Sequence, residues 1–127
     1  MNVPRVMVCV TRQKTCERLI KVGQKLINGT AGGKLTVVHV TKVGVNVLGN
    51  PDEGEALDYL FQVSKQAGAD MTVLRSENIL NTLLDYARKN DITEIVVGES
   101  PDPGSGNSII HNMEYMLPGV RFNVVPS

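Results

Sequence analysis

The residues best placed to hold a ligand lie in one stretch, Ile92-Thr-Glu-Ile-Val-Val-Gly-Glu-Ser-Pro-Asp-Pro-Gly-Ser-Gly-Asn-Ser108. The β-branched run Ile95-Val96-Val97 stops on Gly98, as a central parallel strand does when both of its faces are covered. A loop of Gly, Pro and Ser follows, and Asn107 or Ser108 can cap the next helix. Such a turn gathers free backbone N–H groups and the positive end of a helix dipole in one place. The chemistry on offer is anion binding, a phosphate nest made by Gly98, Glu99, Ser100, Gly104, Ser105, Gly106, Asn107 and Ser108. Thr11, Arg12, Gln13 and Lys14 follow the first strand and are expected on the facing side. Lys14 or Arg12 would neutralise the charge there. Thr41, where the second strand ends, is expected near a base or ribose.

Other chemistries fail on spacing. A phosphatase loop needs Cys-x5-Arg, so that the guanidinium clamps the phosphate. The sixth residue after Cys9 is Thr15, Arg12 comes too early, and Cys9 sits inside the strand. Cys9 and Cys16 read as buried core thiols. A receiver domain needs clustered carboxylates after strand one and an Asp after strand three, but the chain has Thr11-Arg12 and Arg75-Ser76. A flavodoxin would want a glycine in the first loop and an aromatic flank for the flavin, and Trp is absent. His39 and His111 have no Cys, Asp or Glu at metal-ligand spacing. His39 reads as a satisfied, partly buried residue in a strand, and His111 as an outward-facing or helix-start residue. Glu99 and Asp102 have no nucleophile or base beside them and read as loop solvation. No catalytic residue and no metal site is expected.

The elements that must position these residues alternate. Arg5–Val10 reads as strand one. Cys16, Leu19, Ile20, Gly23, Leu26 and Ile27 form the apolar stripe of helix one, with Thr15 as its expected N-cap. Residues 34–40 read as strand two and 41–49 as a loop. Asn50 as cap, Pro51 at the first helical position and Glu53 as box partner are the expected start of helix two. Its expected buried face is Ala56, Leu57, Leu60, Val63, Ser64 and Ala67, and Gly68 stops it. Residues 70–75 read as strand three. Ser76 or Asn78 caps helix three, whose stripe is Ile79, Leu80, Leu83, Leu84 and Ala87. Residues 108–117 read as helix four and 120–125 as strand five. Strands alternating with helices give right-handed crossovers and a mostly parallel sheet with helices on both faces. Val120, Phe122 and Val124 alternate with Arg121, Asn123 and Val125, which suggests an edge strand with one better-covered face. An open edge is a liability unless it pairs, so a homodimer through strand five is expected.

Bulk properties narrow the class. The 127 residues suit one domain, 1–127, with a real core. Hydrophobic residues make up 42% and charged ones 20%, which is globular rather than disordered composition. Thirteen basic and thirteen acidic residues cancel, so no charge excess points to nucleic acid or an anionic membrane. No apolar run approaches the roughly 20 residues of a membrane helix. The start, Met1–Arg5, leads straight into a strand, and the expectation is no signal peptide and a cytoplasmic address. Two cysteines read as thiols fit that address.

The block Cys9-Val-Thr-Arg-Gln-Lys-Thr-Cys-Glu-Arg-Leu-Ile20, the long second loop, and Ile95-Val-Val-Gly-Glu-Ser100 before a final helix and strand resemble the universal stress protein family over essentially the whole chain. The nearest resemblance is to the universal-stress-type domain of the potassium-sensing histidine kinase and its stand-alone relatives. The resemblance implies a five-stranded sheet in the order 3-2-1-4-5, of the nucleotide-binding α-hydrolase-like kind. It implies dimers through the last strand and a non-enzymatic binding or signalling module in stress response. One branch of the family holds ATP or AMP, with Mg2+ for ATP, through an acidic residue after strand one and a G-x-x-G-x9-G-S/T loop. Here that motif is degraded: Gly98 matches, Pro101 stands at the second glycine, Gly106-Asn107-Ser108 only approximates the close, and Thr11 replaces the acid. Pro101 and Pro103 also remove two amide donors. The alternatives implied are a nucleotide-free dimeric interaction protein, a cyclic di-AMP sensor, and a weak ATP hydrolase.

Overall fold

The computed structural model describes residues 3–99 and 107–126. Five strands, β1 (Arg5–Cys9), β2 (Lys34–Thr41), β3 (Asp70–Arg75), β4 (Glu94–Gly98) and β5 (Arg121–Val125), form one sheet in the order β3-β2-β1-β4-β5. All four pairings are parallel rather than mostly so. Four helices connect them: α1 (Gln13–Ile27), α2 (Glu53–Gln66), α3 (Ile79–Lys89) and α4 (Asn107–Met116). None of the described helices is long and apolar enough to cross a membrane.

The strands' period of two divides the core into two layers. Val6, Val8, Leu35, Val37 and Val96 face α1 and α2, where they meet Cys16, Leu19, Ile20, Ala56 and Leu60. Met7, Cys9, Val38, Val40, Ile95 and Val97 face α3 and α4, where they meet Leu83, Leu84, Ala87, Ile110 and Met113. Both cysteines are buried and free, and burial pushes each thiol up to about 12. They are packing residues, as their positions in strand and stripe imply.

Helix starts depart from the sequence reading by up to three residues. Gln13, not a residue after Thr15, begins α1; Arg12 is its N-cap and gives no side-chain cap bond. Thr15 instead donates its hydroxyl to the Arg12 carbonyl at 3.3 Å. At α2 the cap is Asp52, whose Oδ1 accepts from the Glu55 N–H at 3.0 Å. Asn50 sits two residues earlier and accepts from the Asp52 N–H at 2.9 Å, an Asx turn that leads into the cap. Leu57 is not on the buried face of α2; it is 37% exposed. At α3 the cap is Asn78, accepting from the Asn81 N–H at 3.0 Å.

Gly23 has a packing reason. A Cβ there would stand 2.6 Å from Val8 Cγ2 and 2.8 Å from Leu35 Cδ1, so α1 lies closer to the sheet than any side chain at this position allows. The β2–α2 connection is pinned by His39, which is buried rather than partly buried. Its Nδ1 lies 2.8 Å from the Val10 carbonyl, and its Nε2 accepts the Leu48 N–H at 3.0 Å. Since Nε2 accepts, Nδ1 carries the proton and donates it to Val10. The other bond, from the Leu48 N–H to Nε2, is made by a residue at φ 54°, a left-handed conformation that leucine rarely adopts. At the sheet edge, Phe122 is half-buried and Val125 buried, while Val124 is 41% exposed. The better-covered members of β5 are therefore split between its faces.

Candidate crevice at the switch point

The sheet order puts the change of winding direction between β1 and β4. Chain connections leave in opposite directions there, and a gap opens beyond the strands' carboxyl ends. The structure has a crevice of about 600 Å³ at that place. Cys9 and Thr11 from the end of β1, and Val97, Gly98 and Glu99 from the end of β4, form its base. The α3 and α4 side supplies an apolar wall that includes Ile79, Leu83, Ile109, Ile110 and Met113. The α1 side supplies a polar rim of Arg12, Lys14, Thr15 and Arg18. An apolar wall opposite a few polar groups is the usual make-up of a small-molecule site.

The rim breaks the local rules of helix stability. Acidic side chains suit the positive end of a helix dipole and basic ones oppose it, by about 0.3–1 kcal/mol each. The first turn of α1 has no acid and no side-chain cap, and it places Arg12 and Lys14 there. Lys14 and Arg18 are one turn apart, a like-charged neighbouring pair. Glu17 is turned to the Tyr59 hydroxyl at 3.5 Å, not to these cations. The two ion pairs among the described residues, Arg75 with Glu53 and Arg121 with Glu94, involve none of them. The three cations are exposed on the crevice side without a partner carboxylate among those pairs.

The expected site residues fall into three groups. Thr11, Arg12, Lys14, Gly98 and Glu99 are brought together in the lining. Gln13 and Thr41 stand outside it. Gln13 Oε1 accepts from the Asn50 amide at 3.1 Å, tying α1 to the β2–α2 connection. Thr41 is buried, and its hydroxyl donates to the Val45 carbonyl at 3.4 Å, because strand alternation turns its neighbour Val40 to the crevice instead. Ser100, Gly104, Ser105 and Gly106 lie outside the described residues, as do the side chains of Asn107 and Ser108, whose backbone opens α4. Arg18 and the apolar wall were missed. Arg18 follows Lys14 by four and could have been found from helical spacing; the wall residues read simply as core stripes.

No protein-family model matches the chain, and no curated protein matches it. Solved structures do. A universal stress protein from Archaeoglobus fulgidus is 16% identical with TM-score 0.59, over 99% of this chain and 98% of that one. A universal stress protein in complex with cAMP is 14% identical with TM-score 0.63, over 98% of each chain. A universal stress protein family protein from Arabidopsis thaliana with AMP bound is 13% identical with TM-score 0.59, over 97% of this chain and 91% of that one. At these identities the likeness establishes the fold: the chain has the five-stranded parallel α/β architecture of universal stress proteins.

Proposed function

We propose that the chain is a cytoplasmic universal-stress-type module that binds an adenine nucleotide in the crevice between β1 and β4, acting in signalling and not as an enzyme. The observation that carries this reading is the crevice itself: about 600 Å³ at the switch point, apolar on one wall and cationic on the other. A purine stacks against apolar side chains, and a phosphate takes the cations. That solved structures of this fold hold cAMP and AMP supports the choice of nucleotide class. The block from Cys9 to Ile20 points to the kinase-type branch, so cyclic di-AMP belongs among the ligands tried.

The protein works as a homodimer through β5 in this reading, with Val120, Phe122 and Val124 at the contact. Val124, at 41% exposure on an edge strand, supports it.

Calorimetric titration with ATP, AMP and cyclic di-AMP in the presence of Mg2+ tests the binding role. Saturable heat with at least one of them is expected, weakened several-fold in Lys14→Ala, an exposed position whose loss leaves the fold intact. Silence from all three at millimolar ligand would overturn the reading and leave a nucleotide-free interaction protein.

A further inference from the structure

We propose that the chain has a second binding site, at the end of the sheet opposite the crevice, and that it takes a small monocarboxylate bearing a hydroxyl, a 2-hydroxy acid of a few heavy atoms. Arg5, Lys34 and Asp70 are the first residues of β1, β2 and β3. Arg5 is the register partner of Lys34, and Thr36 that of Asp70. Register partners share a face of the sheet, and strand alternation makes this the face of Met7 and Val38, which α3 covers. The C-terminal end of α3 closes the space with Tyr86 and Asn90. The Tyr86 hydroxyl lies 3.2 Å from that of Thr36 and 3.4 Å from that of Thr72, which fixes the ring over the strand starts. A cavity of about 140 Å³ remains between these groups. A cavity of about 150 Å³ takes a molecule the size of benzene, whereas drug-sized ligands need about 300–1,000 Å³. The space therefore suits a ligand of a few heavy atoms and excludes a nucleotide.

Three charges border this cavity, and none neutralises another. Arg5, Lys34 and Asp70 line it, and the two ion pairs among the described residues involve none of them. Like charges that face each other across neighbouring strands are destabilising, yet Arg5 and Lys34 are seated in that way. The Arg5 guanidinium gives one N–H to the Asn90 carbonyl at 3.5 Å. A carboxylate suits the rest of the fork, because its two oxygens match the guanidinium geometry. Lys34 adds the second positive charge. The ionised Asp70 side chain only accepts hydrogen bonds, so it calls for a donor beside the bound carboxylate, which a 2-hydroxyl supplies. Two cations and one carboxylate give the lining a formal charge of +1. Met1 and Asn2, which precede the described residues, have no carboxylate side chain. That charge complements a monoanion better than a phosphate monoester, which carries about −1.5 to −2.

The test is an NMR titration of the backbone amides of the full chain with lactate, acetate, glycine and inorganic phosphate at constant ionic strength. Wild type is compared with Arg5→Gln, Lys34→Gln and Asp70→Ala. Lactate is expected to shift the signals of residues 34–36, 70–72 and 86–90 saturably, and acetate to shift the same signals with weaker affinity. Arg5→Gln is expected to weaken lactate about tenfold, the size of one charged hydrogen bond. The exposed Lys34→Gln is expected to weaken it by up to about fivefold, the size of a surface ion pair. Asp70→Ala is expected to abolish the preference for lactate over acetate. No saturable shift at these residues with any of the four probes, at tens of millimolar, overturns the site. Phosphate or glycine binding more tightly than lactate overturns the ligand class, and a lactate preference that survives Asp70→Ala overturns the role of Asp70. Should Arg5→Gln lose its folded spectrum, Lys34→Gln decides, and an unchanged lactate affinity there overturns the charge pairing.

Discussion

Replacing Gly23 by alanine sets two known effects against each other. In an ordinary helix interior the change stabilises by about 1 kcal/mol, because glycine loses more backbone freedom on folding. At Gly23 the new methyl would stand 2.6 Å from Val8 Cγ2 and 2.8 Å from Leu35 Cδ1. Carbon pairs are comfortable at about 3.5–4.0 Å. Neither neighbour can step aside: Val8 is fully buried in β1, Leu35 is 3% exposed in β2, and valine is stiff at χ1. The helix must lift from the sheet, and overpacking of this kind costs about 1–3 kcal/mol. With two close contacts the upper half of that range applies. The net is a loss of about 1–2 kcal/mol, or a fall in Tm of roughly 4 °C per kcal/mol for a chain of this size. Gly54→Ala is the control, since its Cβ would meet nothing nearer than Asp52 Oδ1 at 3.5 Å. It should be neutral or stabilise by a few tenths of a kcal/mol. Urea denaturation of the two variants decides. A Gly23→Ala protein as stable as wild type would refute the close seating of α1 on β1 and β2.

Three further outcomes are expected. Burial lowers the pKa of His39 from the ordinary 6.5, with the nearby Arg75 charge acting the same way and the Val10 hydrogen bond opposing. The unfolded chain therefore takes its proton at a higher pH than the folded one. The stability from neutral His39 is complete above about 6.5 and is lost as pH falls from there through the lower folded value. Denaturation at pH 7.5 and 5.5 should show the drop, and His39→Gln should be weaker at pH 7.5 and less sensitive to pH; an equal drop in both proteins would contradict the role of His39. Cys9 and Cys16, with thiols pushed up to about 12, should ignore Ellman's reagent at pH 8 in the native protein and react once guanidinium unfolds it; rapid native labelling would show that one of them is accessible. Val124→Lys should convert the proposed dimer to monomer in analytical ultracentrifugation with Tm nearly unchanged, and an unaltered sedimentation coefficient would place the contact elsewhere.

What the sequence determined by itself was the order and nature of the elements. Hydrophobic period, β-branched runs and Gly or Pro punctuation are local properties, and nine segments alternating between strand and helix allow few topologies. The resemblance between the Cys9–Ile20 block and universal stress proteins added the sheet order, which the strand pairings bear out. Helix caps were less legible, because Asn50, Asp52, Thr15 and Arg12 offer several starts and packing against the sheet selects among them. The candidate site was half legible. Thr11, Arg12, Lys14, Gly98 and Glu99 meet in one crevice because Thr11, Gly98 and Glu99 lie at or just after the ends of β1 and β4, and Arg12 and Lys14 open the helix that follows β1.

Only the tertiary structure could turn Gln13 and Thr41 away from the crevice. The direction of a side chain at an element's end depends on what packs behind it, here Asn50 for Gln13 and Val45 for Thr41. The same holds for His39, whose partners Val10 and Leu48 are 29 and nine residues away in the chain. It holds for the apolar wall too. Ile79, Leu83, Ile110 and Met113 belong to two helices that are neighbours only because both cover the same face of the sheet. A sequence carries the period of each stripe, but the gap left between stripes is a property of their packing.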